Sequence, residues 1–456
     1  MKAHWSDDSI FYHIYPLGFC GAPQHNDFAA GPTPRLEKIH EWIGHLRELQ
    51  VNALYLGPVF ESSAHGYDTA DYFRVDRRLG TNETLAGVVQ ELHRSGVRVI
   101  LDGVFNHVGR DFWAFRDVRQ NGENSAYRNW FQGLNFNARS PYGDPFGYEG
   151  WNGNHDLVKL NLHEPQVKDH LFQAIHQWLR EFEIDGLRLD VADCLDKQFL
   201  RELSAFCHGL RPDFWLMGEV VHGDYTGWAN PQMLDSVTNY ECYKGLYSSL
   251  ADKNYFEIAY SLKRQFGPGG VYRGLKLYNF VDNHDVDRVA GSLQQPGWLY
   301  PLYCLLFSMP GLPSIYYGSE WGLDARRTRQ DDRPVRPCLD LNALRADSPQ
   351  PDLGAVVARL ARIRLETPAL RDGDYNELAV APQQFAFSRS AQNEIVIVLL
   401  NAASTSARFD IPVSLSPGTR LVDLLNPGDE FQVQAGRLRV EQVWPCWARI
   451  LRAQTS

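Results

Sequence analysis

Eight short apolar runs rich in β-forming residues alternate with amphipathic helical stretches, and this constrains the fold of the chain more than any other feature. The runs are IFYHIYPLGF (10–19), ALYLGPVF (53–60), VRVILDGVF (97–105), DGLRLDVA (185–192), FWLMGEVV (214–221), LDSVTNY (234–240), LKLYNFVD (275–282) and PSIYYG (313–318). Alternation of strand and helix implies a parallel sheet, and eight such strands close into a (β/α)8 TIM barrel of the α/β class. The helix signals agree. RLEKIHEWIGHLREL follows Pro34, ETLAGVVQELHRSG runs to Gly96, and EPQVKDHLFQAIHQWLREF carries Pro165 near its start.

One connection is too long for a barrel. Some sixty residues rich in Gly, Asn and aromatics separate Phe105 from Glu164, and a loop of that length signals an inserted subdomain. After residue 372 the pattern changes to QFAFSRS, EIVIVLLNA, ARFDIPV, TRLVDLL, EFQVQAGRLRV and CWARILRA, successive strands with turn residues between them. The expected organisation is a catalytic barrel at 1–107 and 164–372, an inserted subdomain after strand 3 at 108–163, and a C-terminal antiparallel β-sandwich at 373–456.

Bulk properties exclude several functions. The formal net charge is −10, which favours neither nucleic acid nor an anionic membrane as partner. No apolar run reaches the length of a membrane span, and MKAHWSDDSIFYHIYP lacks the apolar core of a secretory signal. Seven scattered cysteines without a CxxC pair argue against a disulfide framework or zinc site and for a reducing, cytoplasmic setting.

Polar residues collect where the strands end. Asp102, Asn106 and His107 close the third, Arg188 and Asp190 the fourth, Glu219 the fifth, and His284 and Asp285 the seventh. The loop after the second adds His65, Tyr67 and Asp68. In such barrels, polar residues at the C-terminal ends of different strands converge on one face. Carboxylates from three strands suit glycoside hydrolysis, where one ionised carboxylate attacks and one protonated carboxyl feeds the leaving oxygen. Arg188 is expected to keep Asp190 ionised, and the flanking Gly218, Val220 and Val221 to give Glu219 an apolar setting that favours acid duty. Trp113, Trp130 and Trp151 of the insertion suit sugar-ring stacking.

The ordered motifs YLGPVF–HGYDTADY, DGVFNH, LVKLN, GLRLDVAD, GEV, FVDNHD and GLPSIYYGSEWG resemble glycoside hydrolase family 13, the α-amylase family, from about residue 10 to 322. LVKLN and the insertion VRQNGENSAYRNWF look like the neopullulanase and cyclomaltodextrinase group, but the first strand at Ile10 leaves no room for that group's N-terminal domain. A homodimer would therefore use another surface. The resemblance implies Asp190 as nucleophile, Glu219 as acid/base and Asp285 as transition-state stabiliser. It also implies Tyr67, His107, Arg188, His284 and Arg288 as substrate-binding or pocket-shaping residues. The implied activity is retaining hydrolysis of α-glucosidic, mainly α-1,4, bonds in maltooligosaccharides, cyclic ones included. An α-glucosidase, glucanotransferase or isomerase would use the same triad. Val221 stands where relatives carry Trp, and Asp193 has no assigned role. No cofactor is expected. Asn26 and Asp27 do not make a calcium site, and Asn106 matches a calcium ligand of some relatives without requiring one.

Overall fold

The computed structural model describes residues 4–328 and 331–454. Eight parallel strands form the first layer: β1 (Phe11–Ile14), β2 (Ala53–Leu56), β3 (Arg98–Gly103), β4 (Gly186–Leu189), β5 (Trp215–Gly218), β6 (Ser236–Val237), β7 (Tyr278–Asn279) and β8 (Leu312–Tyr316). Their order is β6-β5-β4-β3-β2-β1-β8-β7, and a parallel bridge between Thr238 and Tyr278 closes the ring. This is the expected barrel.

Strand alternation sorts side chains into two cores. Phe11, Ala53, Tyr55, Ile100, Trp215, Met217, Tyr278 and Leu312 fill the lumen. The alternate residues, such as Leu54, Leu101, Leu187 and Leu216, face outward against the helices. Those helices are α1 (Ile39–Glu48), α2 (Asn82–Arg94), α3 (Pro165–Glu181), α4 (Lys197–Leu210), α5 (Tyr240–Ala251), α6 (Tyr255–Phe266), α7 (Leu299–Ser308) and α8 (Leu353–Glu366). Their starts follow local chemistry: Pro165 opens α3, the Asp196 carboxylate accepts the Phe199 N–H ahead of α4, and Asn239 accepts the Cys242 N–H ahead of α5. The strands are shorter than their apolar runs. The first ends at Ile14 because Pro16 starts a helical turn, Pro16–Phe19. Only a short 3-10 turn, Tyr225–Gly227, fills the β5–β6 connection, whereas two helices follow β6.

The insertion carries a three-stranded antiparallel sheet of His107–Gly109, Gly150–Trp151 and Asn154–Lys159. Beyond the barrel lie β9 (Asp374–Val380), β10 (Gln384–Ala391), β11 (Glu394–Asn401), β12 (Ala407–Pro412), β13 (Arg420–Asp423), β14 (Glu430–Gln434), β15 (Arg437–Val443) and β16 (Trp447–Ala453). They pair antiparallel in the order β9-β10-β11-β16-β13-β14-β15-β12, and the sheet folds over a core that includes Ile397, Leu399, Phe409, Val440 and Leu451. Alternate residues Phe385, Phe387, Val396 and Val398 join the main core instead. Arg364 and Arg389, both buried, clamp this junction by donating to the carbonyls of Phe307 and Ser308.

Candidate active site

The site sits where the lumen stops being apolar. On β3, Ile100 faces inward within the hydrophobic plug, and Asp102, two residues on, faces the same way one layer higher. The β3–β4 register places Asp102 beside Arg188. Arg188 therefore enters a ring of acids: Nη1 meets Asp102 at 2.9 Å and Asp190 at 2.8 Å, and Nη2 meets Glu219 at 2.8 Å. Tyr55 and Tyr67 donate to Asp102 Oδ2 at 2.8 and 3.1 Å, an oxygen that Arg188 Nη1 also reaches at 3.0 Å. All the members of this ring are buried.

The ring changes the expected division of charge. Burial raises the Asp190 carboxyl. Arg188 opposes the rise, but Glu219, Asp102 and Asp285 add to it, so the group lies well above the ordinary carboxylate range. Arg188 does not by itself keep Asp190 ionised, because its charge is shared among three carboxylates. Glu219 differs from expectation as well. Its valine neighbours point elsewhere, while its Oε2 accepts from Arg188 and, at 3.0 Å, from the Val191 N–H. Its Oε1 faces the Tyr240 hydroxyl at 3.4 Å. Val191 reaches Glu219 by adopting a left-handed conformation (φ 42°), unusual for a β-branched residue.

Asp285 is held apart from that ring. Its two oxygens meet His284 Nε2 and Arg336 Nη2, each at 2.9 Å. Burial would raise this carboxyl, but His284, Arg336 and Arg188 outweigh burial and hold it well below the usual range. His284 also meets the Tyr67 hydroxyl and stacks on the Tyr67 ring at 5.4 Å. The turn that presents Tyr67 is tied down by Asp68, which accepts the N–H of His65 and of Gly66 at 3.1 Å. Gly66 (φ +88°) has no room for a side chain, since a Cβ would lie 2.8 Å from Pro58.

His107 stands against Asp190 from the third side. Its Nε2 lies 3.8 Å from Asp190 Oδ2 and has no hydrogen-bond partner among the described residues. Burial pushes the ring down to about 3, so it is neutral and suited to a sugar hydroxyl. Trp151 stacks on His107 at 5.6 Å. Trp130, by contrast, is buried and packs with Trp113 inside the insertion, so of the three tryptophans expected to stack on sugar, Trp151 reaches the site.

Arg288 is fully buried and donates to the carbonyls of Tyr317 and Val335, which fixes the β7 and β8 loops from beneath the site. The arginine at the surface of the site is Arg336, which also donates to the His284 carbonyl at 2.9 Å and covers Tyr15 at 4.5 Å. Sequence reasoning missed Arg336 and Tyr240. Tyr240 follows β6 directly, so the rule that strand ends carry function would have found it; Arg336 lies in a loop without periodicity. Asp193 is exposed on the turn after Asp190. Among the described residues no group of three or more His, Cys, Asp and Glu side chains is arranged for a metal. Asn106 pairs with His107 Nδ1 at 3.1 Å and Asn26 with Glu61 at 3.2 Å.

A barrel whose strand ends bring Asp190, Glu219 and Asp285 to one face, two of them on a buried arginine, has the arrangement of a glycoside hydrolase. The model of the α-amylase catalytic domain matches residues 13–348. A cyclomaltodextrinase of Geobacillus thermopakistaniensis is 32% identical over 461 residues, 96% of this chain and 75% of that protein. Neopullulanase 2 of Thermoactinomyces vulgaris is 32% identical over 463 residues, 96% and 76% of the two chains. Among solved structures, the cyclic α-maltosyl-(1→6)-maltose hydrolase from Arthrobacter globiformis superposes with a TM-score of 0.81 at 28% identity, covering 99% of this chain and 100% of that one. The chain belongs to the α-amylase family. No helix among the described residues is long and apolar enough to cross a membrane.

Proposed function

We propose that this protein hydrolyses α-glucosidic, mainly α-1,4, bonds of maltooligosaccharides, rings included, with retention of anomeric configuration. The observation that carries the reading is the forked grip of Arg188 on Asp190 and Glu219. It holds an attacking carboxylate and a proton donor against the same small volume, as double displacement requires.

The reaction requires Asp190 as the anion and Glu219 as the proton donor, a state that works against the upward pull of burial on Asp190. Asp190 attacks the anomeric carbon while Glu219 gives its proton to the departing glycosidic oxygen. Asp285, pinned as an anion by His284 and Arg336, faces the positive charge that develops on the sugar. Glu219 then takes a proton from water, which attacks the same carbon and releases Asp190. Tyr67 supplies the ring platform, and His107 Nε2 a partner for a hydroxyl. We expect the reaction to need no metal ion, and chelators to leave activity intact. The seven free cysteines fit a reducing cytoplasm.

The test is a time course on maltotriose, a cyclodextrin, pullulan, starch and a branched cyclic maltoside, with the product anomer followed by proton NMR. Ring opening faster than starch cleavage and α-anomeric products are expected. A β-anomer as first product overturns the mechanism, and glucose released singly from chain ends replaces the reading with an α-glucosidase.

A further inference from the structure

Beneath the clamp on Asp285 lies a second histidine that the steps above leave without a role. On β1, Phe11 faces the apolar lumen, and His13, two residues on, faces the same way one layer higher. The strand registers place it between Tyr55 of β2 and Tyr316 of β8. Its ring stacks on Tyr55 at 4.2 Å and stands perpendicular to His284, at 5.1 Å and 89°. Both imidazoles are only 2% exposed. Tyr15 and Tyr67 lie nearly parallel to the His284 ring, at 5.9 and 5.4 Å, so its plane is fixed and its polar edges decide what it can do. One edge, Nε2, meets Asp285 at 2.9 Å. The other, Nδ1, has no hydrogen-bond partner among the described residues, and neither has His13 Nε2. Two neighbouring rings thus each hold a buried nitrogen without a partner, where buried polar groups almost always have one.

The charged groups around the pair are Asp285, Arg188 of β4 and Arg336 of the loop after β8. Asp102 of β3 reaches it through Tyr67, and Asp190 and Glu219 stand behind Arg188. Tyr15, Tyr55, Tyr67 and Tyr316 are all raised by burial and stay protonated. Burial first, then His284, Arg188 and Arg336, hold His13 well below the ordinary histidine range against the pull of Asp285. His13 is therefore neutral, with one N–H and one lone pair.

We propose that His13 is a positioning residue for the reaction, an inference that rests on the α-glucoside reading above. Its Nε2 lone pair receives the Nδ1–H of a His284 imidazolium and holds that cation against Asp285. Asp285 then has a charged partner on each oxygen, His284 on one and Arg336 on the other. An imidazolium carries two N–H donors, and the inner one needs an acceptor that does not cancel the charge. A neutral imidazole supplies it, with its own proton kept on Nδ1. The perpendicular rings need a small tilt to bring the two nitrogens together, and catalytic hydrogen bonds that are long in the free enzyme tighten when substrate seats. Without His13 the inner N–H is buried and unmet. His284 then gives up its proton at lower pH, and Asp285 loses a charged anchor where positive charge develops on the sugar.

The experiment compares the wild type with His13→Phe, which keeps a ring against Tyr55 but has no lone pair, and His13→Gln, whose amide oxygen can accept. Nitrogen-15 NMR of histidine-labelled enzyme reads the protons on His284, and pH profiles are taken on maltotetraose and on α-maltosyl fluoride. The fluoride's leaving group carries no sugar and needs little help from Glu219, so its basic limb reports the rest of the site. In the wild type both His284 nitrogens should be protonated at pH 7.5. In His13→Phe the basic limb on the fluoride should move down by about one to two units, the worth of a hydrogen bond to a charged group. The loss should be roughly tenfold near pH 8, smaller near pH 6, and carried by kcat rather than KM. His13→Gln should restore most of both signals. A wild-type His284 with a single proton overturns the proposal even if His13→Phe fails to fold. An unmoved limb in folded His13→Phe, or a His13→Gln enzyme as impaired as His13→Phe, overturns it too. A wild type inactive on both substrates overturns the underlying reading of function instead, while the NMR result still decides the histidine pair.

Discussion

Replacing Arg188 with methionine removes the cation that meets Asp102, Asp190 and Glu219 at 2.9, 2.8 and 2.8 Å. Two unit charges about 4 Å apart at an effective dielectric near 20 interact by ~4 kcal/mol, so three contacts lose a gross ~12 kcal/mol. Proton uptake by the abandoned carboxyls returns most of that sum. Stripping the partner from buried charges typically costs a net 3–5 kcal/mol. For 456 residues the unfolding entropy is roughly 1 kcal/mol per kelvin, so Tm should fall by about 3–5 °C at pH 7.5. The sign with pH is definite. Asp190 already lies above its ordinary value, and loss of Arg188 raises it further. A carboxyl raised in the folded state costs stability when ionised, and that cost fades as pH falls towards about 4. The Tm deficit should therefore shrink between pH 7.5 and 5, while the acid limb of kcat/KM on α-maltosyl fluoride shifts upward by a unit or more. Arg188→Lys, which keeps the charge but not the fork, should recover Tm more than rate. A folded Arg188→Met enzyme with wild-type Tm at both pH values and an unmoved acid limb would refute the argument.

Glu219→Gln should cut turnover of maltotetraose by about 10²–10⁴ and that of α-maltosyl fluoride far less; equal losses on the two substrates would remove the acid role. His107 is held down at about 3 against roughly 6.5 unfolded. Its folded form therefore resists the proton that the unfolded chain accepts, and this contribution is lost as pH falls below about 6.5. The loss amounts to about 2 kcal/mol by pH 5, so His107→Gln should flatten Tm against pH over that interval by about 2 °C, and an unchanged slope would contradict the neutral buried ring. Val191→Gly relieves a left-handed valine (φ 42°) worth about 1–3 kcal/mol of strain, less about 1 kcal/mol of added chain entropy. Urea denaturation should find the variant as stable or slightly more so, with kcat reduced because the N–H to Glu219 is less fixed; lower stability with unchanged kcat would show that the turn carries no strain.

The barrel was legible because eight apolar runs and their helices repeat a pattern that few folds share. Strand ends were overdrawn, since apolar residues such as Leu17 and Phe19 continue the hydrophobic run into a helical turn packed on the core. The site was legible as far as strand ends mark it: Asp102, Arg188, Asp190, Glu219 and His284 converge as their positions imply. Electrostatics was not, and the reason is geometric. The surroundings of Glu219 come from β4 across the register, not from the valines that follow it in sequence. The same limit explains Arg288 and Arg336. Both belong to loops whose course depends on packing between β7 and β8, so spacing alone could not say which of the two would be buried.

The fork of Arg188 also bears on how the catalytic cycle turns over. On the proposed mechanism, Asp190 gives up its negative charge when it becomes an ester, and in the same event Glu219, having lost its proton, gains one. The charge has passed from a partner of Nη1 to a partner of Nη2 on one planar group, and no side chain needs to swing to follow it. The site's total charge is the same before and after each half-reaction. The water step therefore begins with the base already ionised and already held, and the enzyme is spared a reorganisation between its two chemical events.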